Sequence, residues 1–214
     1  MIGSQGQINR GSSLGEIIYN LCLQSDIKNI VEIGTWNGMG STKCIYDAIL
    51  KKQGEYLVYS LECNQEFYNI CIDNYKNLTK LANFYLILGS IIDPNENIDP
   101  MFNFDDRFFT QYSREIQSSW CKEDIENCKK SPNVLNILPD KIDLLILDGG
   151  EFSGLSEYNK LKDRSIYFIL DDTNNIKNYE VSRIIRNNND YEILFDSNER
   201  NGFLVAKKVY GDKY

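Results

Sequence analysis

Asn29-Ile-Val-Glu-Ile-Gly-Thr-Trp-Asn-Gly-Met-Gly-Ser41 is the stretch on which the fold turns. Its first five residues are almost continuously apolar and of strand length, the pattern of a parallel strand covered on both faces. Gly34, Gly38 and Gly40 then let the backbone turn sharply and approach a ligand where a Cβ would clash. A pattern of helical period opens at Ser41, and the free N–H groups of such a helix start suit a carboxylate or another anion. The spacing is not G-x-G-x-x-G, so the dinucleotide fingerprint fails and a nicotinamide enzyme is disfavoured. Alone, the segment is a moderate signal, with a purely structural tight turn as the lesser alternative.

The next strand bears on that choice. Tyr56–Leu61 has strand composition and closes in Glu62. An acid there can accept both hydroxyl protons of a ribose; without a glycine loop upstream it would be read as a solvated strand-end charge. Together the two features favour a nucleoside site. Further strands are expected at Phe84–Leu88, Ile142–Leu147, Ile166–Leu170, Tyr191–Phe195 and Phe203–Lys208. Helices are expected at Leu14–Leu23, with Ser13 as N-cap, and at Ser41–Lys52, Gln65–Leu81, Leu155–Lys162 and Tyr179–Arg186. This alternation predicts an α/β, Rossmann-like doubly wound sheet with helices on both faces. The last two strands are joined only by Asn198–Gly202, too short for a parallel crossover. The sheet is therefore expected to have seven strands, six parallel and an antiparallel one at the C-terminus.

The 214 residues fit one domain, 1–214, able to bury a sizeable core. One connection, at about 91–141, is out of proportion. It holds the aromatic-rich DPMFNFDDRFFTQY and then REIQSSWCKEDIENCKK, which reads as an amphipathic helix. It is either a surface elaboration covering the sheet edge or a cap over the carboxyl ends of the strands, where ligands bind in such sheets.

Hydrophobic residues make up 42% and charged residues 25%, an ordinary globular mix. The net charge of −8 argues against a nucleic-acid partner, and no apolar run is long enough for a membrane span. No apolar h-region opens the chain, which implies a cytoplasmic protein. The six cysteines form no C-x-x-C pair and there is no histidine, which excludes the usual zinc sites and favours reduced thiols. Lack of histidine also removes Ser-His and Cys-His nucleophiles. Chemistry must come from carboxylates, Lys, Tyr, a metal, or a cofactor reactive by itself.

Carboxylates gather at two strand ends. The fourth strand ends in Asp148-Gly-Gly-Glu151 and the fifth in Asp171-Asp172. Neighbouring parallel strands would bring Asp148, Asp171 and Asp172 to one cleft, where crowded carboxylates raise one another's pKa. A divalent cation relieves that repulsion, and an all-oxygen set suits Mg²⁺, Mn²⁺ or Ca²⁺. The bland alternative has Asp148 and Asp172 capping helices.

These residues together resemble the class I S-adenosylmethionine-dependent methyltransferases. In that family E-x-G-x-x-x-G follows strand one, an acid ends strand two, and a seventh strand runs antiparallel to six. The resemblance covers nearly the whole chain from about Leu14, apart from 91–141. It implies Glu32 and Gly34 beside the methionine part of the cofactor, Gly38 in the same loop, Glu62 at the ribose and Ser90 at the adenine. Trp36 stands where many members have a second glycine, and its ring would cover the cofactor or substrate. The segment LDGGEFSGLSEYNKLKDRSIYFILDDTN is similar to the metal-dependent O-methyltransferases of macrocin type and, more distantly, catechol type. That similarity implies Asp148, Asp171 and Asp172 as Mg²⁺ ligands, with Asp148 also facing the cofactor. Two departures stand out: Gly150 where the sugar enzymes carry a second Asp, and Asp163-Arg-Ser165 in place of Gly-Gly before strand five.

The implied activity is O-methylation of a small hydroxylated acceptor such as a sugar or glycoconjugate, assisted by Mg²⁺, with Asp148 or Glu151 as the base. A metal-free methyltransferase and a non-catalytic subunit that binds a partner protein through its aromatic insertion are the competing readings. A nucleic-acid amino-methyltransferase would want an Asx-Pro-Pro-aromatic loop, and no Pro-Pro occurs. An aminopropyl transferase of the same fold gains no added motif. Self-association is left open.

Overall fold

A computed structural model describes residues 7–93, 108 and 112–209. The described residues form helices α1 (Ser13–Leu23), α2 (Ser41–Ile49), α3 (Gln65–Tyr75), α4 (Arg114–Lys130), α5 (Gly154–Leu161) and α6 (Tyr179–Arg186). The strands are β1 (Asn29–Ile33), β2 (Leu57–Glu62), β3 (Phe84–Leu88), β4 (Ile142–Leu147), β5 (Ser165–Asp171), β6 (Tyr191–Ser197) and β7 (Phe203–Lys208). They make one sheet in the order β3-β2-β1-β4-β5-β7-β6. β1 pairs in parallel with both β2 and β4, while β7 runs antiparallel to both β5 and β6.

The continuous apolar runs are explained by burial on both faces. All six residues of β4 are buried. Side chains alternate across the strand. Leu144 and Ile146 pack with Ile18, Cys44 and Ile45 under α1 and α2. Leu145 and Leu147 pack with Cys121, Cys128, Tyr158 and Val181 under α4, α5 and α6. No helix among the described residues is long and apolar enough to cross a membrane.

Several boundaries differ from expectation, α2 ending at Ile49 instead of Lys52 and β6 at Ser197 instead of Phe195, and two have a clear local cause. The α1 cap is Ser12, whose Oγ accepts the Gly15 N–H at 3.1 Å, so Ser13 is the first helical residue. α3 stops at Tyr75, not Leu81: Asn77 and Thr79 are weak helix formers, and the Thr79 carbonyl is taken by the Tyr46 hydroxyl at 2.8 Å.

The chain order reverses between β1 and β4, the first strands building outward on one side and the later ones on the other. Such a switch point opens a crevice beyond the strands' carboxyl ends. α4 forms as the sequence suggests, while most of the aromatic-rich segment before it lies outside the described residues.

Candidate functional site

A cleft of about 1200 Å³ occupies that switch point. It exceeds what one drug-sized ligand usually fills, leaving room for two small molecules side by side. The glycine turn forms one wall. Gly34 has φ +97°, and a Cβ there would stand 2.0 Å from the Asp148 carbonyl oxygen, so only glycine lets β1 and β4 end this close together. Trp36 is also left-handed, at φ +49°, which explains why a glycine would suit the position. Its N–H donates to Glu62 Oε2 at 2.7 Å, and its half-exposed ring meets Phe67 edge-on at 6.1 Å.

Glu62 lies on the cleft wall, its other oxygen accepting the Asn64 N–H at 2.8 Å. Burial pushes its pKa up, against the pull of these two N–H groups. Each carboxylate oxygen keeps a further lone pair for a ligand. Ser90 also lines the cleft, with Oγ accepting the Ile92 N–H at 3.0 Å. Gly34, Trp36, Glu62, Ser90 and Asp148 thus line the same cleft.

Glu32 and Gly38 are placed elsewhere. Glu32 is fully buried beneath the loop, where Oε2 accepts from Thr42 Oγ1 at 2.8 Å and from Ser60 Oγ. It ties α2 to β2, and burial raises its pKa. Gly38, at φ +79°, leaves room for Cys71 and Tyr75, whose hydroxyl donates to the Gly38 carbonyl at 2.8 Å. Both residues shape the loop from behind.

The opposite wall carries the acids. Asp148, Asp171 and Asp172 each offer a carboxylate oxygen, all within 4.8 Å of one another. Neither Asp148 nor Asp172 caps a helix: the N-caps of α5 and α6 are Ser153 and Asn178. Asn178 instead clamps the two strand ends, donating from Nδ2 to the Leu147 carbonyl at 2.9 Å and the Asp171 carbonyl at 2.8 Å.

Two cations that the sequence reading missed lie among these carboxylates. Lys177 Nζ stands 3.0 Å from Asp148 Oδ1 and 3.0 Å from Asp172 Oδ2, with its side chain 11% exposed. Arg200, on the β6–β7 turn, donates to Asp171 Oδ2 at 2.7 Å. The same turn pins the chain after β5, its Gly202 and Asn201 carbonyls accepting from the N–H groups of Thr173 and Asn174. Burial, with Asp171 and Asp172 alongside, pushes Asp148 up to about 8 despite Lys177. Burial also acts on Asp172, but Lys177 outweighs it and holds this carboxyl below the usual range. The lysine stays charged, raised by its carboxylates against the cost of burial. One proton is therefore best held at Asp148.

The donor set has the chemistry for a hard divalent cation. As the cluster stands such an ion does not fit, because Lys177 holds two of the three carboxylates and Arg200 the third.

α4 lines the cleft with Trp120, Glu123 and Asp124 while burying Cys121 and Cys128 in the core. Asp124 Oδ2 accepts the Glu151 N–H at 2.9 Å and would lie 2.6 Å from a Cβ at Gly150. A side chain at 150 would thus have to displace a carboxylate brought in from the long connection. Glu151 is half-buried, with Oε2 unpartnered and its pKa raised by burial.

Glu157 sits behind this wall, 4% exposed and with Oε2 unpartnered. Burial lifts its pKa to about 7 from an ordinary 4.5. Between these values the folded protein keeps a proton that the unfolded chain has released, so stability falls as pH rises through the window. Glu157→Gln is expected to exceed wild type by about 3 kcal/mol at pH 8 and to match it near pH 4.5, measured by urea unfolding at both pH values.

No protein-family model matches the chain, and no curated protein matches its sequence. Solved structures do match its fold. An O-methyltransferase from Bacillus cereus, solved with S-adenosylhomocysteine, superposes with TM-score 0.60 at 14% identity, covering 97% of this chain and 84% of that one. An S-adenosylhomocysteine-bound methyltransferase from Podospora anserina gives 0.57 at 13%, covering 93% and 80%. An O-methyltransferase of tomaymycin synthesis from Streptomyces achromogenes, solved with S-adenosylmethionine, gives 0.55 at 12%, covering 92% and 80%. The chain has the fold of S-adenosylmethionine-dependent O-methyltransferases.

Proposed function

We propose that the protein transfers a methyl group from S-adenosylmethionine to a hydroxyl oxygen of a small acceptor, a sugar or glycoconjugate being one suitable class. One observation carries the reading: a glycine turn, Glu62 and Asp148 face a single cleft with room for cofactor and acceptor together. When bound, the cofactor supplies a methyl group already activated on a sulfonium, so the protein's contribution is alignment and electrostatics.

Gly34 opens the space beside the strand ends, and Glu62, fixed by two backbone N–H groups, turns its remaining lone pairs toward ribose hydroxyls. Ser90 borders the expected adenine side. Trp120 and Asp124 from α4 form the acceptor wall, which supports reading the α4 part of the long connection as a cap. Once ionised, Asp148 takes the proton that the acceptor hydroxyl gives up, with Glu151 as the alternative base on the same loop. Mg²⁺ enters no step, since its three carboxylates are already engaged by Lys177 and Arg200.

Calorimetric titration tests the reading. Wild type is expected to bind S-adenosylmethionine at one site, and Glu62→Ala to bind it about 10- to 100-fold more weakly, the worth of hydrogen bonds to a charged group. Absence of binding by the folded wild type would sink the proposal and put the partner-binding subunit ahead.

A further inference from the structure

We infer that Lys177 is the built-in cation of this cleft, its ammonium standing between Asp148 and Asp172 where a divalent metal ion would otherwise sit. The inference deepens the methyl-transfer reading, on which it rests for its chemistry but not for its test.

Three observations support it. The ammonium bridges carboxylates from two different strand ends at 3.0 Å each, which is the job that a metal does in a cluster of this kind. Next, counter-charge is already in place without any ion: the three carboxylates are paired with the two cations Lys177 and Arg200. A divalent ion added to this set would lie in contact with the ammonium and repel it. Finally, the root of the lysine is fixed. Its neighbour Asn178 is clamped on the Leu147 and Asp171 carbonyls, and its own carbonyl packs so close to Gly154 that a Cβ there would meet it at 2.4 Å. This is a held cation, unlike a surface lysine that samples many rotamers. Beside the acceptor it lowers the cost of the negative charge that grows on oxygen as Asp148 takes the proton, without reorganising during the reaction.

Mn²⁺ is a suitable probe, since it shares the oxygen preference of Mg²⁺ and is visible by electron paramagnetic resonance. Cofactor-free wild type is expected to show no stoichiometric Mn²⁺ uptake up to about 1 mM, whereas Lys177→Met gains one Mn²⁺ site about tenfold or more tighter. Stoichiometric uptake by wild type that Asp172→Asn abolishes would overturn the inference. So would a folded Lys177→Met protein that takes up no Mn²⁺. If Lys177→Met does not fold, wild type decides: no uptake, with cofactor binding undiminished by EDTA, supports the built-in cation, and uptake defeats it. S-adenosylmethionine is titrated separately, so failure there removes the methyl-transfer reading and leaves the metal result standing.

Discussion

Gly34→Ala is expected to lose more than about 4 kcal/mol of stability and, with it, all cofactor binding. Two costs combine at this position. The φ of +97° disfavours any L side chain, and the new Cβ would stand 2.0 Å from the Asp148 carbonyl oxygen and 2.8 Å from the Gly149 nitrogen. Those are backbone atoms at the joined ends of β1 and β4, so they cannot move aside without parting the sheet. Gly54 separates the two effects: it has the same φ of +97°, and a Cβ there would meet nothing within 4 Å. Gly54→Ala therefore carries conformational strain alone and should cost about 1–2 kcal/mol. Urea unfolding of both variants checks this. Equal losses would mean that the close approach of the strands has no energetic weight.

Asp148→Asn is expected to lower kcat by about 10²- to 10⁴-fold, the usual contribution of a positioned base, with S-adenosylmethionine affinity changed by less than about tenfold. The amide keeps the shape and still accepts from Lys177, but cannot take the acceptor's proton. The pH profile carries the sign. Burial lifts the Asp148 pKa to about 8, and only the ionised form can act as base. Wild-type kcat/KM should thus rise with pH and level off above about 8, while the variant should lack that rise. Steady-state rates across pH 6–10 at saturating cofactor decide it. If Glu151→Gln removes the rise and Asp148→Asn retains it, the base is Glu151.

Most of the fold was legible because burial writes itself into composition. β4 is buried at every residue, so IDLLIL is apolar at almost every residue. The short link at Asn198–Gly202 settled the antiparallel partner by length alone. Asp148, Asp171 and Asp172 were legible for a related reason: neighbouring parallel strands end together, so residues at their ends must meet. The partners of those carboxylates were not. Arg200 reaches Asp171 only because a hairpin folds back over the site, and Asp124 reaches Gly150 only because α4 crosses it. Lys177 gave a faint signal as the first cation after Asp171-Asp172, but which way a lysine turns is not written in its neighbours. The placement of Glu32 and Gly38 was not legible either: they share a motif with cleft residues, yet one faces inward under the loop and the other makes room for Tyr75.

The place of β7 in the sheet bears on how the protein is made. β7 follows every other strand in the chain, yet it lies inside the sheet, hydrogen-bonded to β5 on one side and β6 on the other. A ribosome releasing this chain from its N-terminus can complete the five strands β3-β2-β1-β4-β5 early, and domains commonly start folding in that order. Until residues 203–208 emerge, β5 is left with an open, apolar edge of the kind that pairs with other chains. Arg200 arrives with the same hairpin, so Asp171 lacks its direct ion-pair partner before then. Closing the sheet and pairing Asp171 with Arg200 are therefore a single late event in biosynthesis, and a nascent chain stalled before β7 would be both sticky and inactive.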